Sequence, residues 1–324
     1  MHPFSRPYTT PLLLLMSVAL VVAQMLLSDA NAIALWVNWL FAGLVAAGIW
    51  HITRRYHLCG IYDGRAITIS WPLLCAVMNF TLCFFPRYER FYLGIVLGLS
   101  MLLVLTLILS AWQGEMSVKR HLLVGIIIGL TSTLLPHTLL WLLLLPMTDY
   151  HMRSWSVRNA FGTLTGTALG IWTVYVGLFV HDHWFTAAPA EPGLARQMLL
   201  DYAVIVQPEN FNLLSSGLGL WQWLFLGLIA LLVIIYSISA LLLNVADSVR
   251  AGASVSLIST LSISMVVFSF FDVTHLGFYI CLLAFFLSIQ LTIHMAHLRH
   301  ALNQWWTLII ILAMLALSAL PVLV

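Results

Sequence analysis

The chain has 324 residues, of which 62% are hydrophobic and 7% are charged, and its mean hydropathy is +1.02. Soluble domains carry about 25% charged residues, so this composition excludes a soluble protein and predicts a polytopic membrane protein. The net charge of +2 comes without a block of Lys and Arg, so we expect the lipid bilayer and not a nucleic acid as the partner.

Apolar runs follow one another along the whole chain and predict an all-α transmembrane helix bundle in a single integral membrane domain, residues 1–324. About 20 apolar residues cross a bilayer once. On this basis nine full spans are predicted, at 11–27, 33–50, 66–85, 91–112, 160–180, 211–246, 251–271, 273–296 and 301–324. The sixth run is too long for one span, so we expect its start, up to Trp221 and Trp223, to lie along the interface.

The first apolar run is followed by Ala30-Asn31-Ala32, a small-x-small pattern that also occurs at signal-peptidase sites. The run is longer than a usual signal core, and many spans follow it. We therefore interpret it as an uncleaved first span.

The stretch from His121 to Pro146 is apolar throughout but is interrupted near its centre by Pro136. Proline lacks the N–H group and breaks or kinks a helix. Two interpretations follow: one kinked span, or a helical hairpin of two half-helices of roughly 9 to 12 residues that enters and leaves on the same face.

Basic residues distinguish the two interpretations. A single crossing divides them seven against six, whereas a hairpin places ten on the side of the N-terminus and leaves three opposite. The ten are Arg6, Arg54, Arg55, Arg65, Lys119, Arg120, Arg153, Arg158, Arg250 and Arg299, and the three are Arg87, Arg90 and Arg196. Cytoplasmic loops carry the excess of Lys and Arg, so the sequence predicts a Pro-broken hairpin and a cytoplasmic N-terminus. The acidic link 181–212 is then the longest outer loop.

The passage GEMSVKRHLLVGIIIGLTSTLLPHTLLWLLLLPMTDYHMRSWSVRNAFGTLTGTALG, residues 114–170, resembles the middle of an uncharacterised family of bacterial multi-pass inner-membrane proteins. More distantly, it resembles the G-x-x-x-G-L-x-x-L-x-x-P-x-x-L-x-x-L-L pattern of C-type glycosyltransferases, which use polyprenyl-phosphate-linked sugars. This second resemblance implies an acidic catalytic residue in the first outer loop. In this chain that loop is Ser28 to Ala32, and its carboxylate is Asp29.

Glycosyl transfer from a lipid phosphate needs cations for the phosphate and a group that takes the acceptor proton. On the predicted outer face, Arg87 and Arg90 are the phosphate-binding candidates, and Asp29 and Asp272 are the catalytic candidates. The alternative is that all four are ordinary interfacial charges. For Asp272, a tight outer turn competes with a buried carboxylate that faces a cavity.

Histidines offer weaker candidates. His181-Asp182-His183 contains metal-ligating groups, but adjacent histidines converge only in extended backbone. His294, His297 and His300 recur on one helix end, where they suit either proton relay or the helix dipole. His137 is predicted at the tip of the hairpin, as a functional group or as a neutral imidazole bonded to a carbonyl freed by Pro136.

Cofactor signatures are missing from the sequence. The four cysteines, Cys59, Cys75, Cys83 and Cys281, form no C-x-x-C pair, and we interpret them as packing residues. No Walker A, G-x-G-x-x-G, H-E-x-x-H or G-x-S-x-G pattern is present, so we expect neither a metal nor a cofactor.

Three functions remain. The first is an enzyme that handles a polyprenyl-phosphate-linked sugar in envelope biogenesis, and the second is a secondary transporter, in which broken helices are typical. The third is a scaffold for other membrane proteins, favoured by Gly162, Gly166 and Gly170, which recur every four residues and predict a close helix-packing seam.

Overall fold

The computed structural model of the protein describes residues 9–27, 32–58, 65–84, 92–112, 117–184, 193–203, 219–242, 248–270, 276–297 and 301–319. Their regular elements are twelve α-helices and one long 3-10 helix, Pro136–Leu144. The α-helices are α1 (Thr9–Leu27), α2 (Ala32–Arg55), α3 (Arg65–Phe84), α4 (Tyr92–Ser110), α5 (Ser117–Ser132), α6 (Leu145–His151), α7 (Val157–Trp184), α8 (Leu194–Ala203), α9 (Leu220–Leu242), α10 (Val249–Ser269), α11 (Leu276–His297) and α12 (Ala301–Ala319).

Seven helices within these ranges are long and apolar enough to cross a membrane, namely α1, α2, α3, α7, α9, α10 and α11. Two shorter apolar helices, Ile95–Ser110 and Gln304–Ala319, lie where two further spans were predicted. The prediction of an all-α, multi-pass membrane bundle is confirmed. Helix α9 begins at Leu220 and includes Trp221 and Trp223, so only the part of the predicted interfacial start that precedes residue 219 lies outside the described residues.

The chain forms two compact units. Unit 1 comprises Met1–Leu102, Gly217–Ser269 and His275–Val324, and unit 2 comprises Leu103–Ser216 and Phe270–Thr274. In unit 1, α3 and α11 pack against each other, α1, α2 and α12 pack on α3, and α9 and α10 pack on α11. Helix α11 is buried along its whole span, as expected for the central helix of a bundle, whereas the outer helices keep apolar faces for lipid.

Polar contacts join the helices of unit 1 inside its apolar interior. The Gln290 amide nitrogen donates hydrogen bonds to Ser237 Oγ at 2.6 Å and to Ser262 Oγ at 2.9 Å, and so links α11 to α9 and α10. Gln24 Nε2 donates to the carbonyl oxygen of Ser318 at 2.7 Å and links α1 to α12. Within lipid such bonds hold neighbouring helices in register.

In unit 2 the chain reverses direction at Pro136. Leu135 has an extended backbone (φ −138°, ψ 95°), the conformation preferred by a residue that precedes proline. The last turn of α5 is closed by the carbonyl oxygen of Thr131, which accepts hydrogen bonds from the Leu134 and Leu135 amides. The chain then returns along α5, and the residues at the two ends of this segment, His121 and Asp149, are in contact. The predicted Pro-broken hairpin is confirmed.

The limbs of the hairpin are longer than the predicted 9 to 12 residues. Helix α5 has 16 residues and is about 24 Å long at 1.5 Å per residue. The returning limb consists of the 9-residue 3-10 helix and the 7-residue α6. Because a 3-10 helix rises about 2.0 Å per residue, this limb reaches roughly 28 Å. Each limb therefore approaches the thickness of a hydrocarbon core, about 30 Å.

Helix α7 packs on α5 through the glycine seam. The facing pairs advance together along both helices: Val118 with Gly162, Leu122 with Gly166 and Ile126 with Gly170. The two helices are therefore parallel, and backbone touches backbone, since a Cβ on Gly166 would overlap the carbonyl oxygen of Leu122. The prediction of a packing seam is confirmed. The seam is covered by α5 of the same chain, which removes the surface on which a scaffold partner was expected.

Helix α8 is fastened at both ends. The backbone amide of Ala195 donates to Asp182 Oδ2 at 2.9 Å, and the hydroxyls of Tyr202 and Ser132 are 2.9 Å apart. Burial raises the pKa of the Tyr202 hydroxyl, so it stays protonated. Since Ser132 is the last residue of α5, helix α8 reaches the tip of the hairpin.

The position of the hairpin predicts which residues are accessible from each membrane surface. In a variant without native cysteines, we expect Lys119→Cys and Arg158→Cys to react with an impermeant maleimide from one surface, and Trp184→Cys from the other. Lys119 and Arg158 are exposed near the two ends of the hairpin, and Trp184 is 81% exposed at the far end of α7. Reaction of the Lys119 and Arg158 positions from opposite surfaces would disprove the hairpin.

Candidate functional site

The four residues predicted to carry chemistry, Asp29, Arg87, Arg90 and Asp272, lie outside the described residues. Their roles therefore stay predictions. The structure instead draws attention to the end of the hairpin where α5 begins and α6 ends, which we name the hairpin foot. It combines a buried polar network with a groove, and all its residues belong to unit 2.

A buried ion pair holds the hairpin foot together. His121 Nε2 lies 2.6 Å from Asp149 Oδ1, and both residues are 2% exposed. When His121 carries a proton on both ring nitrogens, its imidazolium and the Asp149 carboxylate form a pair without net charge. A neutral pair avoids the large desolvation penalty of a lone charge in an apolar surrounding.

Two more polar side chains extend this network. Ser154 Oγ donates to Asp149 Oδ1 at 3.1 Å, and Asn159 Nδ2 donates to the carbonyl oxygen of Ser154 at 2.5 Å. Ser154 and Asn159 are 3% and 1% exposed. Asp149 Oδ1 is in hydrogen-bond contact with both His121 and Ser154. The serine hydroxyl is therefore bonded to the carboxylate and not to the imidazole. This arrangement differs from a Ser-His-Asp triad, in which the histidine activates the serine.

A groove of about 160 Å³ lies beside Asp149, between the returning limb and the start of α7. Its walls include Leu145, Pro146 and Asp149 on the hairpin side. Trp155, Thr163 and Leu164 line the other side. Trp155 and Leu164 are each 55% exposed, so the groove opens to the surface of the protein. Its chemistry is that of an apolar slot with a carboxylate in its wall.

Cations surround the same foot. Lys119 and Arg120 occupy the first turn of α5, and Arg153 and Arg158 lie in the connection to α7 and at its start. Lys119, Arg153 and Arg158 are exposed, whereas Arg120 donates a hydrogen bond to the carbonyl oxygen of Ser110. The foot therefore offers exposed positive charge around a buried polar network.

The histidines at 181 and 183 lie at the end of α7, away from the hairpin foot. His181 to His183 continue α7, so the predicted link begins with helix, and Asp182 caps α8 through the Ala195 amide. The His183 ring stacks on Phe179, with 4.1 Å between ring centroids. Within the described ranges, no group of three His, Cys, Asp or Glu is positioned to hold a metal ion.

Two further predicted histidines have defined places. His137 is 2% exposed on the 3-10 helix next to the tip, which agrees with its predicted position. The ring of His294 lies edge-on against Tyr236, with 4.9 Å between centroids. The side chains of His297 and His300 lie outside the described residues.

The His121–Asp149 pair was missed by sequence reasoning, although a signal was present. Apart from His137, nothing between Leu122 and Thr148 is ionisable, so His121 and Asp149 are the first such groups on either side. When the chain turns back at Pro136, these two residues come into contact. Comparison with protein-family models, with curated proteins and with solved structures finds no match to this chain.

Proposed function

We propose that this multi-pass membrane protein handles a lipid-linked substrate in the bacterial inner membrane and that the lipid chain enters the groove at the hairpin foot. The observation that carries the proposal is the groove itself. It is apolar, it opens to the protein surface, and exposed basic residues lie within two positions of its lining residues in sequence. A lipid has a long apolar chain, which suits the groove, and a polar head group, which suits the basic residues.

The proposed substrate class is a polyprenyl-phosphate-linked sugar, in line with the resemblance of residues 114–170 to C-type glycosyltransferases. A polyprenyl chain is a flexible hydrocarbon, and a slot with Leu145 and Leu164 on opposite sides is a suitable surface for it. With the N-terminus in the cytoplasm, the groove belongs to the inner leaflet.

Filling the groove is expected to weaken lipid binding. In Leu164→Trp a larger ring occupies the slot, and displacing two methylene groups of a lipid chain lowers affinity about tenfold. The matched control is Leu169→Trp, because Leu169 is on the same helix and is 47% exposed but does not line the groove. The measurement is the rise in melting temperature when undecaprenyl phosphate is added to the protein in phosphatidylcholine nanodiscs.

Wild-type protein and the Leu169 variant are expected to be stabilised by the added lipid, and the Leu164 variant is expected to be stabilised less at the same lipid concentration. Equal stabilisation of all three proteins, or of none, would contradict lipid binding in the groove.

We propose sugar transfer as a separate event at the outer face, where Asp29 or Asp272 takes the acceptor proton and Arg87 and Arg90 hold the phosphate of a donor lipid in the outer leaflet. The groove at the hairpin foot binds a lipid of the same class on the opposite side of the membrane. We expect Asp272→Asn or Asp29→Asn to lower the rate of transfer by a factor of about 10² to 10⁴, the usual contribution of a general base. The measurement is sugar release from a polyprenyl-phosphate-linked donor by the protein in proteoliposomes. Asp201→Asn, in the same predicted outer region, serves as the control. Unchanged transfer in both single variants and in their double variant would end the enzyme proposal.

A secondary transporter is the second candidate, favoured by the buried His121–Asp149 pair. Ionisable pairs within membrane proteins relay protons in many pumps and transporters, and broken helices are common in them. This candidate takes precedence if no lipid binds and Asp149→Asn abolishes proton uptake into proteoliposomes.

A further inference from the structure

Arg153 has a backbone conformation that is unusual for its residue type. Its φ angle is +52°, in the left-handed region. The cause is the end of α6, where the Arg153 amide bonds to the Tyr150 carbonyl oxygen at 3.2 Å and the Ser154 amide bonds to that of Asp149 at 2.9 Å. These two bonds define a Schellman cap, and the left-handed position in such a cap is usually glycine.

An arginine at this position is not explained by the backbone. Glycine adopts the left-handed conformation without steric penalty, whereas a residue with a Cβ is strained there. The cap would therefore form more easily with glycine. Strained residues of this kind occur often at ligand-binding sites, where the side chain has a task of its own.

The Arg153 side chain is placed for such a task. It is exposed, and in the sequence Arg153 lies between two residues of the groove wall, Asp149 and Trp155. Its guanidinium carbon lies 6.0 Å from the centroid of the Trp112 ring, a cation–π distance that directs the group. Asp149 Oδ1 is engaged by His121 and Ser154, and among the described residues no carboxylate lies within ion-pair distance of Arg153.

We infer that Arg153 binds the phosphate of the lipid whose chain occupies the groove, an inference that rests on the proposed function. The fixed guanidinium fork matches phosphate oxygens and forms charge-assisted hydrogen bonds with them. Lys119 and Arg158, both exposed at the hairpin foot, add to the positive potential. The inference makes the site selective for a phosphate-bearing lipid over a neutral lipid with the same chain.

The test compares undecaprenyl phosphate with undecaprenol, which has the same chain but no phosphate. Arg153→Gly removes the charge and relieves the strain at the same time. It is expected to lower the affinity for undecaprenyl phosphate about fivefold, to leave that for undecaprenol unchanged, and to melt at or above the temperature of the wild-type protein.

The chain offers a matched control in His57. This residue also has φ +52°, in a Schellman cap at the end of α2, where the His57 amide bonds to the Arg54 carbonyl oxygen and the Leu58 amide to that of Thr53. His57→Gly relieves the same strain in unit 1 and is expected to bind both lipids as the wild-type protein does.

The possible outcomes separate the two proposals. If Leu164→Trp weakens the binding of both lipids and Arg153→Gly keeps the preference for phosphate, the role of Arg153 is wrong and lipid binding in the groove stands. If Leu164→Trp binds both lipids normally, the groove is not the site and both proposals fail. Loss of phosphate preference in His57→Gly as well would also overturn the inference, because relief of strain and not the arginine side chain would then explain it.

Discussion

Replacing Gly166 with Val is expected to prevent the stable folding of unit 2. A Cβ at this position would overlap the carbonyl oxygen of Leu122, which is backbone and cannot rotate away. Helices α5 and α7 must then separate, and they lose contact along the whole seam. Overpacking in a core commonly destabilises by about 1 to 3 kcal/mol, and a clash with backbone belongs at or above the top of that range. The measurement is thermal unfolding of the purified protein in detergent, together with its yield from membranes.

Gly177→Val is the matched control for this prediction. Gly177 is on the same helix, and nothing lies within 4 Å of the position of its Cβ. Valine changes the intrinsic helix propensity equally at both sites, so any difference between the variants measures the seam. Similar melting temperatures for the two variants would show that α5 and α7 do not pack at backbone distance.

Replacing Asp149 with Ala is expected to destabilise the protein by about 3 kcal/mol, because it removes one partner of a buried ion pair and leaves the other. The carboxylate accepts from both His121 and Ser154, so two buried groups lose a hydrogen-bond acceptor at once. The hairpin foot, which depends on this pair to join its two limbs, is expected to open first. Chemical or thermal unfolding of the protein in detergent measures the effect.

The double variant His121→Leu with Asp149→Leu tests the cause. Replacing both members of a buried pair with apolar residues is often neutral or stabilising, so the double variant is expected to be more stable than Asp149→Ala. The single variants His121→Leu and Asp149→Leu complete the cycle. The change in unfolding free energy of the double variant, minus the sum of the changes in these two single variants, gives the coupling energy of the pair. Additive single-site effects would show that the two residues act independently.

The helices of this protein were largely predictable, because membrane spans follow from composition and length. The runs predicted at 33–50 and 251–271, for example, correspond to α2 and α10. Pro136 correctly predicted where the hairpin turns, because a proline removes a backbone donor and forces the residue before it out of the helical conformation.

The geometry of the returning limb was not predictable from periodicity. The choice between 3-10 and α-helix depends on packing against α5, and an apolar run of leucines is compatible with both. The helix that packs on the glycine seam could not be predicted either, since Gly162 and Gly166 indicate close packing but do not identify their partner. The candidate site needed both pieces of information, because His121 and Asp149 are 28 residues apart in sequence and meet only once the chain has turned back.

Parallel pairing of α5 and α7 has a consequence for biogenesis. Facing residues such as Leu122 and Gly166 are 44 positions apart. Ribosomes add about 5 to 20 residues per second, so α5 emerges roughly 2 to 9 seconds before the helix that covers its bare backbone. During this interval the face of α5 that α7 will cover has to contact something else, either the insertion machinery or the returning limb. Slowing translation between codons 133 and 157 would prolong this unprotected state.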